Sequence, residues 1–107
     1  MYSIGEIKQK VASVAKRHRL AAVYLVGSYA RGEAVAGSDI DLLIDSSTSP
    51  HSGLSYFGIH ADFEQSFADG SVDIIDMNQI TGDNLSEQNK ILAEAVMPEK
   101  VLLFQER

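Results

Sequence analysis

Two aspartates separated by one residue, Asp39 and Asp41, open an apolar run that continues to Ile44. If this run is a β-strand, its side chains alternate between two faces, so both carboxylates project from the same face. Like charges at this spacing repel, and each raises the pKa of the other unless a cation lies between them. Hard divalent ions bind carboxylate oxygens, and Mg²⁺ commonly combines one or two carboxylates with substrate phosphates. The pair therefore indicates a metal site that handles phosphates.

A glycine–serine turn offers the second half of this predicted site. Gly27 and Ser28 directly follow the apolar residues 21–26, which have the length and β-branched content of a buried strand. Glycine lets the backbone approach a ligand closely, and N–H groups that open a helix or a turn bind phosphate oxygens. Carboxylates beside a phosphate cradle indicate chemistry on a nucleotide. The alternative is a structural glycine turn that leads into a strand with an accidental aspartate pair.

A strand expected at residues 72–77 offers a third carboxylate. Side chains alternate along a strand, so Asp73 and Asp76 project from opposite faces, and only one of them can face the aspartate pair. The choice depends on the register between strands, which the sequence does not define, so geometry leaves both candidates open. Three carboxylates from two strands would suit two metal ions that hold the attacking and the leaving oxygen of an in-line displacement.

The elements that position these groups follow from hydrophobic periodicity and end signals. Ser3 and Glu6 have the spacing of a capping box, and the apolar stripe that begins at Ile4 predicts an amphipathic helix over residues 3–19. The further expectations, in chain order, are a strand at 21–26, a short helix at 29–33, a strand that begins at Asp39, a loop at 46–53, a helix at 54–68, a turn at 69–70, a strand at 72–77, a helix that starts at Asp83 or Ser86 and ends at Pro98, and a short edge strand at 101–104. This order predicts an α/β (α+β) fold in which helices flank a small sheet.

Length and composition limit the class of protein. The 107 residues suffice for one small core, so we expect a single domain over residues 1–107. The 45% apolar content is ordinary for a soluble protein, and no apolar run approaches the roughly 18 residues that span a bilayer. Lys8 and Lys10 interrupt the start of the chain before an apolar signal sequence can form. We therefore expect a cytoplasmic protein that does not enter a membrane.

Charge and cysteine content exclude several functions. The chain has no cysteine, which excludes disulfides, thiolate zinc sites and cysteine nucleophiles. The net charge of −6 argues against direct nucleic-acid binding, which needs a basic surface. Most basic residues lie near the start, in the expected first helix. They are interpreted as a solvated helix face, with a docking patch for an acidic partner or RNA as the alternative.

The stretch at residues 27–45, GSYARGEAVAGSDIDLLID, carries a family resemblance. Its glycine–serine turn, its later glycine and its Ser-Asp-x-Asp segment before apolar residues resemble the nucleotidyltransferase superfamily that includes DNA polymerase β. The short chain resembles the minimal members, the MNT-domain antitoxins that pair with HEPN-domain toxins. This implies the polymerase β-like fold, with a small mixed sheet. It also favours Asp73 over Asp76, because the third acidic residue of minimal members lies in a Val-Asp-Leu-Val type strand that matches residues 72–75.

The resemblance implies Mg²⁺-dependent transfer of AMP from ATP to a hydroxyl on a partner protein, usually a HEPN ribonuclease toxin that the modification silences. The implied catalytic and metal-binding residues, for two Mg²⁺ ions, are Asp39, Asp41 and Asp73. The implied nucleotide-binding residues are Gly27, Ser28, Arg31 and Ser38. Gly27 and Ser28 would hold the β- and γ-phosphates, whereas Asp73 would act beside the metal that activates the acceptor hydroxyl.

Several alternatives remain open at the level of the sequence. A binding module could neutralise its partner by complex formation alone, and transfer to a small molecule would require a further helical domain. Tyr29 is expected to pack in the core rather than stack on a base. The three histidines lack metal-site spacing and are expected at the surface. The strand edge at residues 101–104 could support pairing of two chains.

Overall fold

The computed structural model of the chain describes residues 2–47, 54–67 and 71–106, except for the side chains of residues 54–57. Its elements are α1 Ile4–His18, β1 Ala22–Val26, α2 Gly27–Ala30, β2 Ile40–Asp45, α3 Leu54–Ser66, β3 Val72–Asp76, a 3₁₀ turn Met77–Gln79, α4 Glu87–Val96 and β4 Val101–Gln105. The strands form a four-stranded sheet in the order β3-β2-β1-β4. β1 is antiparallel to β2 and β4, whereas β2 and β3 are parallel. The predicted α/β fold with a small mixed sheet flanked by helices is confirmed.

The first helix begins with the predicted capping box. The Ser3 hydroxyl accepts a hydrogen bond from the Glu6 N–H at 3.1 Å, and the Glu6 carboxylate accepts one from the Ser3 N–H at 2.9 Å. Both bonds satisfy backbone donors that a helix start leaves unpaired. Ile7 and Val11 of the predicted stripe are fully buried, but Ile4, which opens the stripe, is 48% exposed. The helix ends where Arg19 adopts a left-handed conformation with φ of 56°.

The larger core lies between the sheet and the helices α1 and α3. The side chains of β2 that point toward these helices, Ile40, Leu42 and Ile44, are almost completely buried. Phe63 and Phe67 are also fully buried there. Leu43, on the other face of β2, is also fully buried. Coverage of both faces explains the apolar residues in the middle of this strand.

A smaller core lies on the opposite face of the sheet. It joins Leu43 of β2 and Val26 of β1 to Val96 of α4 and to Ile80. Val96 is the buried residue of α4, so this face is covered by one helix with few fully buried side chains. Asp41 is two residues from Leu43 and projects toward the same face. The candidate site therefore lies beside the thinner of the two layers.

Several predicted boundaries differ in the structure. The short helix begins at Gly27 rather than residue 29, because Gly27 adopts a φ of 77° that turns the chain directly after β1. β3 ends at Asp76 rather than residue 77, since the Asp76 carboxylate accepts a hydrogen bond from the Asn78 N–H at 2.9 Å and caps the 3₁₀ turn. Of the two predicted starts of the last helix, Ser86 is confirmed as the N-cap and Asp83 is wrong.

The other predicted elements agree in kind with the structure. The edge strand is present as β4 and pairs only with β1 in the described sheet. The predicted turn at 69–70, the end of the predicted helix at residue 68 and most of the predicted loop, at 48–53, lie outside the described residues. Within the described ranges, no helix has the length and apolar character needed to cross a membrane.

Candidate active site

Strand pairing brings two of the predicted carboxylates together. Asp41 of β2 lies opposite Asp73 of β3 in the parallel register, so their side chains project from the same face of the sheet. Asp39 lies immediately before β2, two residues from Asp41. On its other side, β2 pairs with β1, where Val26 lies opposite Asp41. The turn at Gly27 directly follows Val26. The acidic residues and the glycine turn thus meet at one end of three adjacent strands.

The rejected candidate, Asp76, has a structural role on the opposite face. It pairs with Ile44 in the register, and Ile44 points into the larger core. In addition to capping the 3₁₀ turn, the Asp76 carboxylate accepts a hydrogen bond from the Ser46 hydroxyl at 2.8 Å. Its interpretation as a strand-end residue is confirmed.

The carboxylate end of the site carries uncompensated negative charge. Burial, together with the charges of Asp73, Asp39 and Glu99, raises the pKa of Asp41 from 3.8 to about 6, against the opposing effect of Arg31. Desolvation and like charge both favour the protonated carboxyl group. A cation bound among these side chains would reverse this preference. Asp39 and Asp73 are exposed, so an ion can reach them from solvent.

The donor set fits a hard divalent cation in its chemistry. Three carboxylates on neighbouring strand ends supply the oxygen ligands that Mg²⁺ prefers. Across residues 2–47, 54–67 and 71–106, however, no three acidic or histidine side chains already converge as a metal-binding group. Side-chain rotation at the exposed Asp39 and Asp73 would be required to close the site around an ion.

Gly27 is required by its contact with Asp41. Its φ of 77° lies in the left-handed region, and a Cβ atom built at this position would overlap the Asp41 carboxylate. Any other residue would therefore be strained and would displace the carboxylate from its position between β1 and β3. The glycine of the motif permits the close approach of the turn to the acidic cluster.

The glycine turn is held by a residue that the sequence does not predict, Glu99. Its Oε1 atom accepts a hydrogen bond from the Gly27 N–H at 2.9 Å, and its Oε2 atom accepts one from Arg31 Nη1 at 2.9 Å. Burial acts to raise the pKa of Glu99, but these two hydrogen bonds and the Arg31 charge lower it overall. Glu99 lies between α4 and β4, 72 residues after Gly27, and no motif marks it.

Arg31 and Ser38 take part in local contacts beside the site. Arg31 Nε donates a hydrogen bond to Glu33 Oε1 at 2.6 Å, so the guanidinium contacts two carboxylates, and its side chain is 47% exposed. The Ser38 hydroxyl accepts a hydrogen bond from the Val35 N–H at 2.9 Å and closes the turn before β2. Within the described residues, the Ser28 side chain makes no hydrogen bond.

Tyr29 and the histidines of the described residues differ in how far they are exposed to solvent. Tyr29 is 7% exposed and packs in the larger core, as predicted. The expectation that the histidines lie at the surface is wrong for His18, whose side chain is 13% exposed and whose Nε2 lies 2.6 Å from Asp62 Oδ2. This contact joins α1 to α3. His60 is 41% exposed, and His51 lies outside the described residues.

The carboxylates open onto a cavity of about 500 Å³. Asp41 and Asp73 form its acidic side, and Leu92 and Val96 of α4 give it an apolar wall. His60 of α3 also lines it. The volume is in the range of small-molecule sites, and the mixture of carboxylates with apolar surface is typical of such sites. The cavity is therefore large enough for a small molecule.

The sequence matches one known family over most of its length. The profile of the family described as nucleotidyltransferase domain matches residues 6–98. This range contains every residue of the glycine turn and all three aspartates. Curated protein sequences contain no significant match.

Several solved structures are similar in fold. A toxin–antitoxin structure with AMP-PNP has a TM-score of 0.69 and 19% identity, covering 94% of this chain and 74% of that chain. A mutant of the toxin–antitoxin pair MntA–HpeT has a TM-score of 0.66 and 16% identity, covering 94% and 74%. A tri-AMPylated HEPN toxin of Shewanella oneidensis in complex with an MNT antitoxin has a TM-score of 0.65 and 16% identity, covering 96% and 73%.

Proposed function

Because the chain belongs to the nucleotidyltransferase domain family, we propose that it transfers AMP from ATP to a hydroxyl group on a partner protein. The partner we propose is a HEPN-domain toxin, which would make this chain its antitoxin. The similar structures include a toxin–antitoxin with AMP-PNP and an AMPylated HEPN toxin bound to an MNT antitoxin, and both support this choice. The observation that carries the proposal is the pairing of Asp41 with Asp73 beside the Gly27 turn.

The proposed reaction is an in-line displacement at the α-phosphorus of ATP. The acceptor hydroxyl oxygen forms a bond to this phosphorus, the bond to the bridging α–β oxygen breaks, and pyrophosphate leaves with the electron pair. Asp73 is exposed, lines the cavity and accepts the hydroxyl proton. Asp39, Asp41 and Asp73 would hold Mg²⁺. When bound, the ion would neutralise charge on the triphosphate and lower the pKa of the acceptor hydroxyl.

The phosphates are assigned to the other half of the site. Ser28 donates its hydroxyl, and Arg31 offers the N–H groups that Glu33 and Glu99 leave unused. Gly27 contributes chiefly by its missing side chain, because its N–H already donates to Glu99. Ser38 fixes the turn before Asp39 and keeps a hydroxyl proton that it can donate to a phosphate oxygen.

Intact-mass spectrometry tests this proposal. The purified chain is incubated with Mg²⁺, ATP and the proposed partner, a HEPN-domain protein encoded by a neighbouring gene if one is present, and we expect the mass of that protein to rise by whole AMP units. The double variant Asp39→Ala, Asp41→Ala should give no increase, and Asp45→Asn, at the far end of the same strand, is the matched control. Modification by the double variant would contradict the mechanism. Inhibition of the toxin without any mass increase would instead favour the alternative of a binding module that neutralises its partner by complex formation.

A further inference from the structure

Glu99 joins the two parts of the proposed phosphate-binding half. Gly27 opens the turn after β1, and Arg31 follows α2, so they lie at the two ends of one short helical turn. One carboxylate contacts both, at 2.9 Å to the Gly27 N–H and 2.9 Å to Arg31 Nη1. Glu99 itself lies just before β4, which pairs with β1. The contact therefore anchors the turn and its cation to a neighbouring strand of the sheet.

The two carboxylates that contact Arg31 differ in exposure. The Glu99 side chain is 18% exposed, whereas the Glu33 side chain is 63% exposed. A hydrogen bond between charged groups is stronger where solvent is partly excluded. The Glu33 contact is the shorter, at 2.6 Å against 2.9 Å. Solvent weakens an exposed ion pair, however, so we expect the Glu99 contact to contribute more to the orientation of the guanidinium.

The orientation of Arg31 leaves donors for a ligand. A guanidinium has five N–H groups, and one each is taken by Glu33 and Glu99. Three remain, and the contacts with Glu33 and Glu99 together restrict the plane in which they lie. An arginine side chain otherwise loses considerable rotamer freedom when it binds an anion. A residue that fixes it in advance reduces this loss.

We propose that Glu99 is a positioning residue, which holds the Gly27 turn and the Arg31 guanidinium in the arrangement that binds the triphosphate. The inference rests on the proposed function, because it concerns the same nucleotide. It adds a residue that lies outside the motif and acts through Arg31 rather than on the reacting atoms. Its removal should weaken nucleotide binding, although it removes a negative charge from the neighbourhood of an anionic ligand.

If Glu99 competes with the nucleotide instead of positioning Arg31, its removal should raise the affinity for nucleotide. If Glu99 only occupied donors that the triphosphate needs, its removal would free the Gly27 N–H and Arg31, and the nucleotide would bind more tightly. A purely structural role would lower the thermal stability of the chain and leave the affinity of the folded protein for nucleotide unchanged. Affinity and stability measured on the same variants separate these three roles.

A double-mutant cycle provides the test. Calorimetry with Mg²⁺ and a non-hydrolysable ATP analogue gives the Kd for the wild type, Glu99→Ala, Arg31→Ala and the double variant, and thermal unfolding confirms that each is folded. We expect Glu99→Ala to raise the Kd about tenfold, the scale of one charged hydrogen bond. In the Arg31→Ala background the same change should have less than about a threefold effect, because the residue through which Glu99 acts is gone. Glu94→Ala, an exposed carboxylate of α4, is the control.

Each other outcome overturns a defined claim. An unchanged or lower Kd for Glu99→Ala, with the wild type binding normally, overturns the positioning role and leaves the proposed function intact. Equal effects of Glu99→Ala in both backgrounds also overturn it, because coupling to Arg31 is then absent. No binding by the wild type contradicts the proposed function itself, and the positioning role is overturned with it. For Glu99→Gln, which keeps one acceptor oxygen, we expect a smaller loss of affinity than for Glu99→Ala.

Discussion

The two halves of the candidate site differ in how their charges are compensated. Around β2, Asp41 is crowded by two other carboxylates, and burial together with their charge raises its pKa to about 6. Around the glycine turn, Glu99 accepts two hydrogen bonds that lower its pKa against the effect of burial. The turn is therefore already stabilised by contacts within the chain. The aspartates around β2, here called the carboxylate half, would be stabilised by a cation from solution. We therefore expect metal ions to change the stability and activity of the carboxylate half more than those of the glycine turn.

The largest expected effect is the loss of the proton acceptor in the carboxylate half. Asp73→Asn keeps the size of the side chain but cannot accept the hydroxyl proton, so we expect kcat to fall about 10²- to 10⁴-fold, the usual contribution of a general base. Steady-state kinetics with the partner protein measures this. Asp76→Asn keeps the cap of the 3₁₀ turn and should have little effect on kcat. A greater loss from Asp76→Asn than from Asp73→Asn would show that the assigned face is wrong.

The second largest effect is expected for a substitution of Gly27, where the glycine turn approaches the Asp41 carboxylate. Gly27→Ala combines a left-handed φ of 77° with an overlap on Asp41, so we expect the free energy of unfolding to fall by about 1–3 kcal/mol and transfer to be largely lost. Gly82→Ala is the matched control, because φ there is 105° but nothing lies within 4 Å of the added Cβ. Urea unfolding and the transfer assay compare the two. Full activity in Gly27→Ala would contradict the close contact between the turn and Asp41.

The pH dependence of stability tests the uncompensated charge directly. Between pH 3.8 and about 6, the folded chain holds a proton on Asp41 that the unfolded chain has lost, so the free energy of unfolding falls as pH rises through this window. Asp41→Asn removes this contribution. Without divalent cations, it should stabilise the chain at pH 7 by about 1–2 kcal/mol, after allowance for partial exposure, and have little effect at pH 4.

Urea unfolding at a series of pH values measures this difference, with Asp45→Asn as the control on the same strand. Addition of Mg²⁺ should stabilise the wild type at pH 7 more than it stabilises Asp41→Asn, because the ion binds the folded carboxylates. An Asp41→Asn variant whose stability follows the wild type at every pH would contradict the account of the carboxylate half.

The smallest change in activity is expected beside the glycine turn, where charged groups are already paired within the chain. Glu33→Ala removes the more exposed of the two carboxylates that contact Arg31. Exposed ion pairs contribute little, so we expect the KM for ATP to change less than about twofold. Initial rates at varied ATP measure it. A loss of nucleotide affinity as large as that expected for Glu99→Ala would contradict the different strengths assigned to the two contacts.

The fold was largely predictable because its signals are local. The capping box at Ser3 and Glu6, the stripe of α1 and the apolar run of β2 each depend on neighbouring residues. The start of α2 was missed because the turn at Gly27 is held by a hydrogen bond from its N–H to Glu99, 72 residues later, which no local pattern indicates. The kinds of elements could therefore be read from the sequence more securely than their ends.

The candidate site was predictable only in part. Asp39 and Asp41 follow from strand alternation, but the choice between Asp73 and Asp76 needs the register between β2 and β3, which forms between residues about 30 positions apart. Glu99 carries no signal at all, because its contact with Gly27 spans 72 positions and involves a backbone N–H. Contacts of this kind are determined by how α4 and β4 pack on the sheet.

The position of a label within ATP tests the central claim most directly. The chain is incubated with Mg²⁺ and its partner protein, in one reaction with ATP labelled on the α-phosphate and in another with ATP labelled on the γ-phosphate. Attack on the α-phosphorus between the three aspartates and the Gly27 turn predicts that the partner gains the α-label and no γ-label, which leaves in pyrophosphate. Transfer of the γ-label to the partner, or transfer of the α-label that persists in the Asp39→Ala, Asp41→Ala variant, would contradict it.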